Sequence, residues 1–180
     1  MQTVTRAAGQ PIWNQYWQEM RQEWFKIEVL QDYFGEDDCP SLRAWLAGDY
    51  AKSLALLAQT THGGWSERCK EKSDQGVLMR RIRVIEEPLT PYTAWEIEFY
   101  KHINIPGGEQ IFTVNQQAVA GLNLPSGDLM MFDNQRMVIC AYDKTGRVTK
   151  QTFYDKSDDI SSFLTLKAQL LARAKPLAAD

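Results

Sequence analysis

Residues 128–155 read DLMMFDNQRMVICAYDKTGRVTKQTFYD. Apolar, β-branched and aromatic residues fill three runs and predict strands from Asp128 to Phe132, Arg136 to Tyr142 and Arg147 to Asp155. The joints, Asp133-Asn134-Gln135 and Asp143-Lys144-Thr145-Gly146, consist of residues that favour tight turns. Three consecutive strands joined so closely pair with their sequence neighbours, which makes an antiparallel meander.

Working outward, Ser157 is placed to cap a last helix with Ile160, Phe163, Leu164, Leu170 and Leu171 facing inward, ending before Pro176. On the other side, residues 115–127 are turn-rich and Gln110 to Val114 is a short strand. The run VLMRRIRVI from Val77 to Ile85 is the clearest strand candidate outside the meander. Its period of two puts Met79, Arg81, Arg83 and Ile85 on one face and Leu78, Arg80, Ile82 and Val84 on the other. Pro88 ends it, and Thr90-Pro91 is an N-cap with a first-turn proline for a helix reaching about His102, striped by Tyr92, Trp95, Phe99 and Ile103.

Further upstream, Pro11 opens an amphipathic helix whose large apolar residues fall at Trp13, Tyr16, Trp17, Met20 and Trp24. That spacing marks a core-facing stripe more than a ligand cage. A short strand over Phe25 to Leu30 leads into an acidic loop from Asp32 to Asp38. Two helices follow, Pro40 to Ala47 and Tyr50 to about Gln59, with Gly48 as left-handed terminator and Asp49 as cap. A flexible corner from Thr60 to Gly64 and a polar helix from Trp65 to a break at Gly76 complete the chain. Strands and helices do not alternate as parallel crossovers require. The expectation is an α+β fold: a polar tail over residues 1–10, then a single domain over 11–180 with an antiparallel sheet flanked by amphipathic N- and C-terminal helices.

Composition narrows the function classes. The 180 residues are 44% hydrophobic and 24% charged with a net charge of −3, which excludes collagen-like and disordered chains. Apolar runs are only a few residues long, against the roughly 18 a spanning helix needs, and the first ten residues lack an apolar signal region. Membrane association is not expected, and the cytoplasm is the expected compartment. Three scattered cysteines, Cys39, Cys69 and Cys140, favour reduced thiols over disulfides or a zinc site. With only His62 and His102 as histidines, no metal centre of that type is expected, and no cofactor motif of the P-loop, dinucleotide, zincin or hydrolase kind occurs. A carboxylate-only Mg²⁺ site stays open. His102 is expected at a helix end near the last carbonyls; His62 beside two glycines is an exposed candidate base without a partner nearby in sequence.

The densest polar information lies between residues 65 and 109. Arg68, Lys70, Lys72, Arg80, Arg81 and Arg83 place six positive charges in sixteen residues. They suit an anion such as phosphate, or else an ion-pair network with Glu86, Glu87, Glu96 and Glu98. Direct nucleic-acid binding is disfavoured by the acidic balance. Tyr92 and Glu96 share a helical face, and a carboxylate at the edge of an aromatic stripe suits a pocket. Asn104, Gly107, Gly108 and Glu109 add an amide, a permissive backbone and a second carboxylate.

The run Arg81-Ile82-Arg83-Val84-Ile85-Glu86-Glu87-Pro88-Leu89-Thr90-Pro91-Tyr92, then Glu96, then Asn104-Ile105-Pro106-Gly107-Gly108-Glu109, resembles the central signature of the DUF6879 domain, a bacterial family. The similarity extends to the N-terminal aromatic helix, Trp45-Leu46-Ala47-Gly48 and Leu129-Met130-Met131-Phe132-Asp133. The chain departs from the family in being rich in Gln and Met and poor in Arg. The resemblance implies no activity, but its members are often encoded beside helix-turn-helix regulators, which implies such a regulator as a protein partner.

The reading that follows is a non-enzymatic binding or regulatory protein recognising an anionic small molecule or a protein partner. Its site would comprise Arg81, Arg83, Tyr92, Glu96, Asn104, Gly108 and Glu109, with Arg81, Arg83 and Glu96 converging in one cleft. One alternative is a hydrolase or transferase acting on a phosphorylated or nucleotide substrate with Glu96 or Glu109 as general base. Another is a protein inhibitor using the acidic loop.

Overall fold

A computed structural model describes residues 1–33, 39–59 and 64–178. Strand β1 (Gln2–Thr5) pairs antiparallel with a later strand and runs directly into α1 (Arg6–Glu19). Part of the stretch expected as a tail is therefore an edge strand. An edge position asks only for backbone hydrogen bonds, so a polar sequence suffices. Thr5 caps α1 by accepting the Ala8 amide at 3.4 Å, and Pro11 lies inside the helix instead of opening it.

Strand β2 (Glu23–Glu28) is followed by α2 (Pro40–Leu46), α3 (Tyr50–Gln59) and α4 (Trp65–Asp74), then β3 (Leu78–Ile85). Gly48 terminates α2 at φ 81°, and the Asp49 carboxylate accepts the Lys52 amide at 3.1 Å. Helix α5 (Pro91–Phe99), capped by Thr90, passes into a π-helical turn (Tyr100–Asn104) before β4 (Glu109–Asn115). The meander follows as β5 (Leu129–Phe132), β6 (Arg136–Tyr142) and β7 (Val148–Tyr154), paired antiparallel as its turns predict. Helix α6 (Ser161–Leu171) starts four residues after Ser157, with the Asp159 carboxylate receiving the Ser161 amide at 2.9 Å. Ser157 is thus not its cap. The short β8 (Lys175–Pro176) closes the chain against β4.

The strands form one sheet in the order β1-β7-β6-β5-β2-β3-β4-β8. The α+β class holds, but the sheet is mixed: β2, β3 and β4 are parallel to one another. Parallel crossovers do occur here, α2–α4 linking β2 to β3 and α5 linking β3 to β4. They are hard to read because β3 carries charges toward a covered face, where a buried parallel strand ordinarily reads as a continuous apolar run.

Strand periodicity divides the interior. Phe25, Ile27, Ile82, Val84, Leu129 and Met131 point to one side and pack with Leu166 and Leu170 of α6. Their neighbours in sequence, including Trp24, Met79, Phe132, Val138 and Phe153, point to the other side and meet the α1 stripe of Trp13, Tyr16 and Trp17. The tryptophan stripe is core. Gly9 lets α1 approach the sheet, since a Cβ there would lie 2.4 Å from the Gln151 side-chain oxygen and 2.8 Å from Phe153. A smaller cluster of Tyr33, Leu42, Tyr92 and Trp95 joins α2 and α5. Between these aromatic groups the helix-covered side of the sheet turns polar.

Candidate functional site

Parallel register sets Lys26 of β2 beside Arg81 of β3, and Glu28 beside Arg83. All four side chains therefore rise from the same face as Trp24 and Met79, opposite the face that α6 covers. Arg81 grips Glu109 with two nitrogens, Nε to Oε1 at 2.6 Å and Nη2 to Oε2 at 3.2 Å, and its Nη1 reaches Glu28 at 2.8 Å. Arg83 donates to Glu96 of α5 at 2.6 Å, to Thr93 at 3.4 Å and to the Val84 carbonyl at 3.2 Å. Lys26 lies between Glu28 and Asp128, 3.2 Å from the latter. Tyr33 and Tyr142 donate to Asp128 at 2.6 and 2.8 Å.

The π-helical turn contributes two of the contacts. It swings Tyr100 to donate to Glu28 and Asn104 to donate to Glu109 at 2.7 Å. Such turns widen a helix by one residue and recur where side chains must be re-aimed. Trp65, at the start of α4, donates its indole N–H to the same Glu109 carboxylate at 3.1 Å. Glu109 thus has both oxygens occupied by Arg81, Trp65 and Asn104, which leaves it poorly placed to accept a substrate proton.

Above this floor is a cavity of about 340 Å³ lined by aromatic side chains, among them Trp24, Trp65, Trp95, Tyr92 and Tyr142, and by Lys26, Glu28, Arg81, Glu96, Asn104 and Asp128. Of the seven predicted site residues, Arg81, Tyr92, Glu96 and Asn104 line it, while Arg83 and Glu109 lie beneath and brace it. Arg81, Arg83 and Glu96 do converge. Gly108, at φ 89°, packs against Ser73 and lines a separate groove. Sequence reasoning missed Lys26, Glu28, Asp128 and Tyr100. Lys26 and Glu28 alternate with Phe25 and Ile27 in a predicted strand, and a charged face on a strand between covered neighbours was the available signal.

The floor holds three cations, Lys26, Arg81 and Arg83, and four carboxylates, Glu28, Glu96, Glu109 and Asp128. Of the glutamates expected to neutralise the arginines, Glu96 does so; Glu28 and Glu109 complete the pairing, and Arg80 lies 3.4 Å from Glu23. Burial opposes ionisation of Glu28, but Arg81, Lys26 and Arg83 outweigh it and hold its pKa well below the usual carboxylate range. Burial likewise disfavours the Lys26 ammonium, and Glu28 with Asp128 reverse the effect and raise its pKa. Glu96 differs. Burial pushes its carboxyl up to about 7 against the pull of Arg83, with the negative charge of Glu28 adding to the rise. Burial also raises the pKa of Tyr33 and Tyr100 well above that of a free phenol, so both remain donors.

Other expected groups lie elsewhere. The His102 ring is 3.8 Å from Glu98 and partly exposed. Residues 34–38 of the acidic loop, and the 60–63 stretch containing His62, lie outside the described residues. Cys69 and Cys140 are buried cysteines outside any disulfide, and Cys39 is a partly buried one at the cavity edge. Among the described residues, no group of three or more His, Cys, Asp and Glu side chains is arranged to hold a metal ion, and no helix is long and apolar enough to cross a membrane.

Comparison with solved structures gives TrmBL2, an archaeal chromatin protein described as showing a novel mode of DNA binding, at 14% identity and a TM-score of 0.42. The match takes in 97% of this chain and 53% of that one, so the chain spans about half the length of that protein. No curated protein matches the sequence. Residues 11–179 match the family described as Domain of unknown function (DUF6879). With nearly its whole length covered by that match, the chain belongs to the DUF6879 family.

Proposed function

We propose that the protein is a non-enzymatic binding module, and that the aromatic cavity over the Arg81–Glu109 floor is its ligand site. The observation that carries this is the buried charge itself. Seven ionisable groups sit under an opening on one face of the sheet, whereas the other face is mainly apolar and carries a smaller charged group of Glu23, Arg80 and Lys167. Burying ion pairs adds little to stability compared with apolar side chains of the same volume, so such a floor points to recognition more than to folding. A cavity near 340 Å³ fits a small molecule. Because Arg81 and Arg83 are already matched by carboxylates, their pull on an anion is weaker than the sequence suggests, and an uncharged or zwitterionic ligand suits the floor better. A regulator protein would then sense the occupied state. Cysteines outside any disulfide fit the proposed cytoplasmic setting. Native mass spectrometry of freshly purified full-length protein tests the site: a retained small-molecule mass is expected, and bare protein that also fails to gain thermal stability in a small-metabolite extract would contradict it.

A second reading rests on Glu96. A buried carboxyl titrating at about 7 on a cavity wall has the properties of a general base. It would serve a hydrolase or transferase. Under that reading Glu96→Gln removes on the order of 10²–10⁴ in rate while leaving affinity nearly unchanged; under the binding reading the same change alters affinity and no turnover is found.

A further inference from the structure

Two neutral polar atoms on cavity-lining side chains have no hydrogen-bond partner among the described residues. Asn104 is 2% exposed, and its amide orientation is fixed because Nδ2 must donate to the Glu109 carboxylate at 2.7 Å. That leaves Oδ1, buried and with no hydrogen-bond partner among the described residues. Trp24, 1% exposed, has its indole N–H in the same condition. The two side chains belong to one cluster. The Trp24 ring is 4.9 Å from the Trp65 ring, and Trp65 and Asn104 donate to the same oxygen of Glu109. The Arg81 guanidinium, bonded to that carboxylate, lies 5.7 Å from the Trp24 ring centre. Both side chains line the cavity.

An unmade buried hydrogen bond costs more than a made one returns, so the two orphans describe what is missing. Asn104 Oδ1 calls for an N–H donor, and Trp24 Nε1 for an acceptor. Around them three cations face four carboxylates, one of which, Glu96, is pushed up to about 7 and carries only part of its charge, so no strongly charged ligand of either sign is called for. The walls are aromatic rings, which favour a flat partner with a π face. An N–H adjacent to a C=O on a planar ring answers all of these requirements at once.

Resting on the reading of the cavity as a ligand site, we propose that it binds an uncharged planar heterocycle through a lactam or imide edge, the N–H meeting Asn104 and the C=O meeting Trp24.

The test is ¹H–¹⁵N NMR of the full chain, following the indole N–H signals of Trp24 and Trp65, assigned with Trp24→Phe and Trp65→Phe. The probes are uracil, 2-pyridone and hypoxanthine, with 1,3-dimethyluracil and N-methyl-2-pyridone as analogues lacking the N–H. Tetramethylammonium, inorganic phosphate and toluene represent cationic, anionic and purely apolar ligands. Saturable shifts of both indoles with the lactams are expected, weakened about tenfold by N-methylation and by a similar factor in Trp24→Phe, the worth of one neutral hydrogen bond. Trp24→Phe also trims a buried ring from the core, so its fold is verified by circular dichroism and thermal melting; the methylated probes repeat the comparison on unaltered protein. Binding of methylated and parent probes with equal affinity overturns the lactam assignment. If tetramethylammonium, phosphate or toluene shifts these indoles and the lactams do not, the cavity stands as a site and the ligand class falls. If no probe moves either signal, both fall.

Discussion

Glu96 is the residue whose ionisation the fold resists. Its carboxyl titrates near 7 in the folded chain, against about 4.5 when exposed, because burial outweighs the nearby Arg83. Between those values the folded state holds a proton that the unfolded state has released, so this group's contribution to stability is greatest below about pH 4.5 and is lost as pH rises through 7. Replacing Glu96 by Gln removes the dependence. The stability of Glu96→Gln relative to wild type should therefore increase from pH 5 to pH 8, by up to about 3 kcal/mol, as read from urea melts across that range. A difference that is flat, or that falls with pH, would contradict the burial argument. The pair with Arg83 makes a separate prediction. Arg83 is completely buried, and Arg83→Met leaves Glu96 without its cation at a cost of about 3–5 kcal/mol, whereas Arg83→Met with Glu96→Leu should lie within about 1 kcal/mol of wild type. A double-mutant cycle on unfolding free energies checks this.

At the scale of elements, two connections hold the sheet in register around the site. The β5–β6 turn has Asp133 at φ 54° and Asn134 at φ 56°, the left-handed conformations of a tight hairpin. The Asp133 carboxylate also accepts the amides of Arg21, Gln22 and Glu23 at 2.9, 2.7 and 2.9 Å, tying the meander to the start of β2. Asp133→Ala should cost about 3 kcal/mol, from the lost acceptors and the strained backbone, as read by denaturant unfolding. Gly127, just before β5, is tighter: a Cβ would lie 1.9 Å from the Cys140 carbonyl oxygen of β6. Gly127→Ala should destabilise by more than about 3 kcal/mol, detectable as a lowered Tm or lost soluble yield. The turn residues of the meander were legible because they are a local chemical signal. The role of Asp133 in bracing β2 was not, since its partners lie 110 to 112 residues away in sequence.

For the molecule as a whole, the sequence carries its local order more clearly than its partnerships. The α1 stripe, the Gly48 terminator, the Thr90-Pro91 start of α5 and the meander each follow from residues within one or two turns. The parallel arrangement of β2, β3 and β4 depends on partners 55 and 30 residues apart, and charges on Lys26, Glu28, Arg81 and Arg83 mask the apolar run that would announce it. The same charges explain why the site was partly readable. Arg81, Arg83 and Glu96 stood out as unusual in a strand and on an aromatic helix, while Glu28 and Asp128 gain meaning only once the register brings them beneath the cavity. A small-molecule site walled by Trp24, Trp65 and Trp95 above the Arg81–Glu109 floor is tested most directly by a crystal structure of the chain soaked with a mixed set of small heterocycles. Density for a planar fragment is expected in that cavity, within hydrogen-bond distance of Asn104 Oδ1 and Trp24 Nε1. Ordered water alone in the cavity, with fragments bound only elsewhere on the surface, would contradict it.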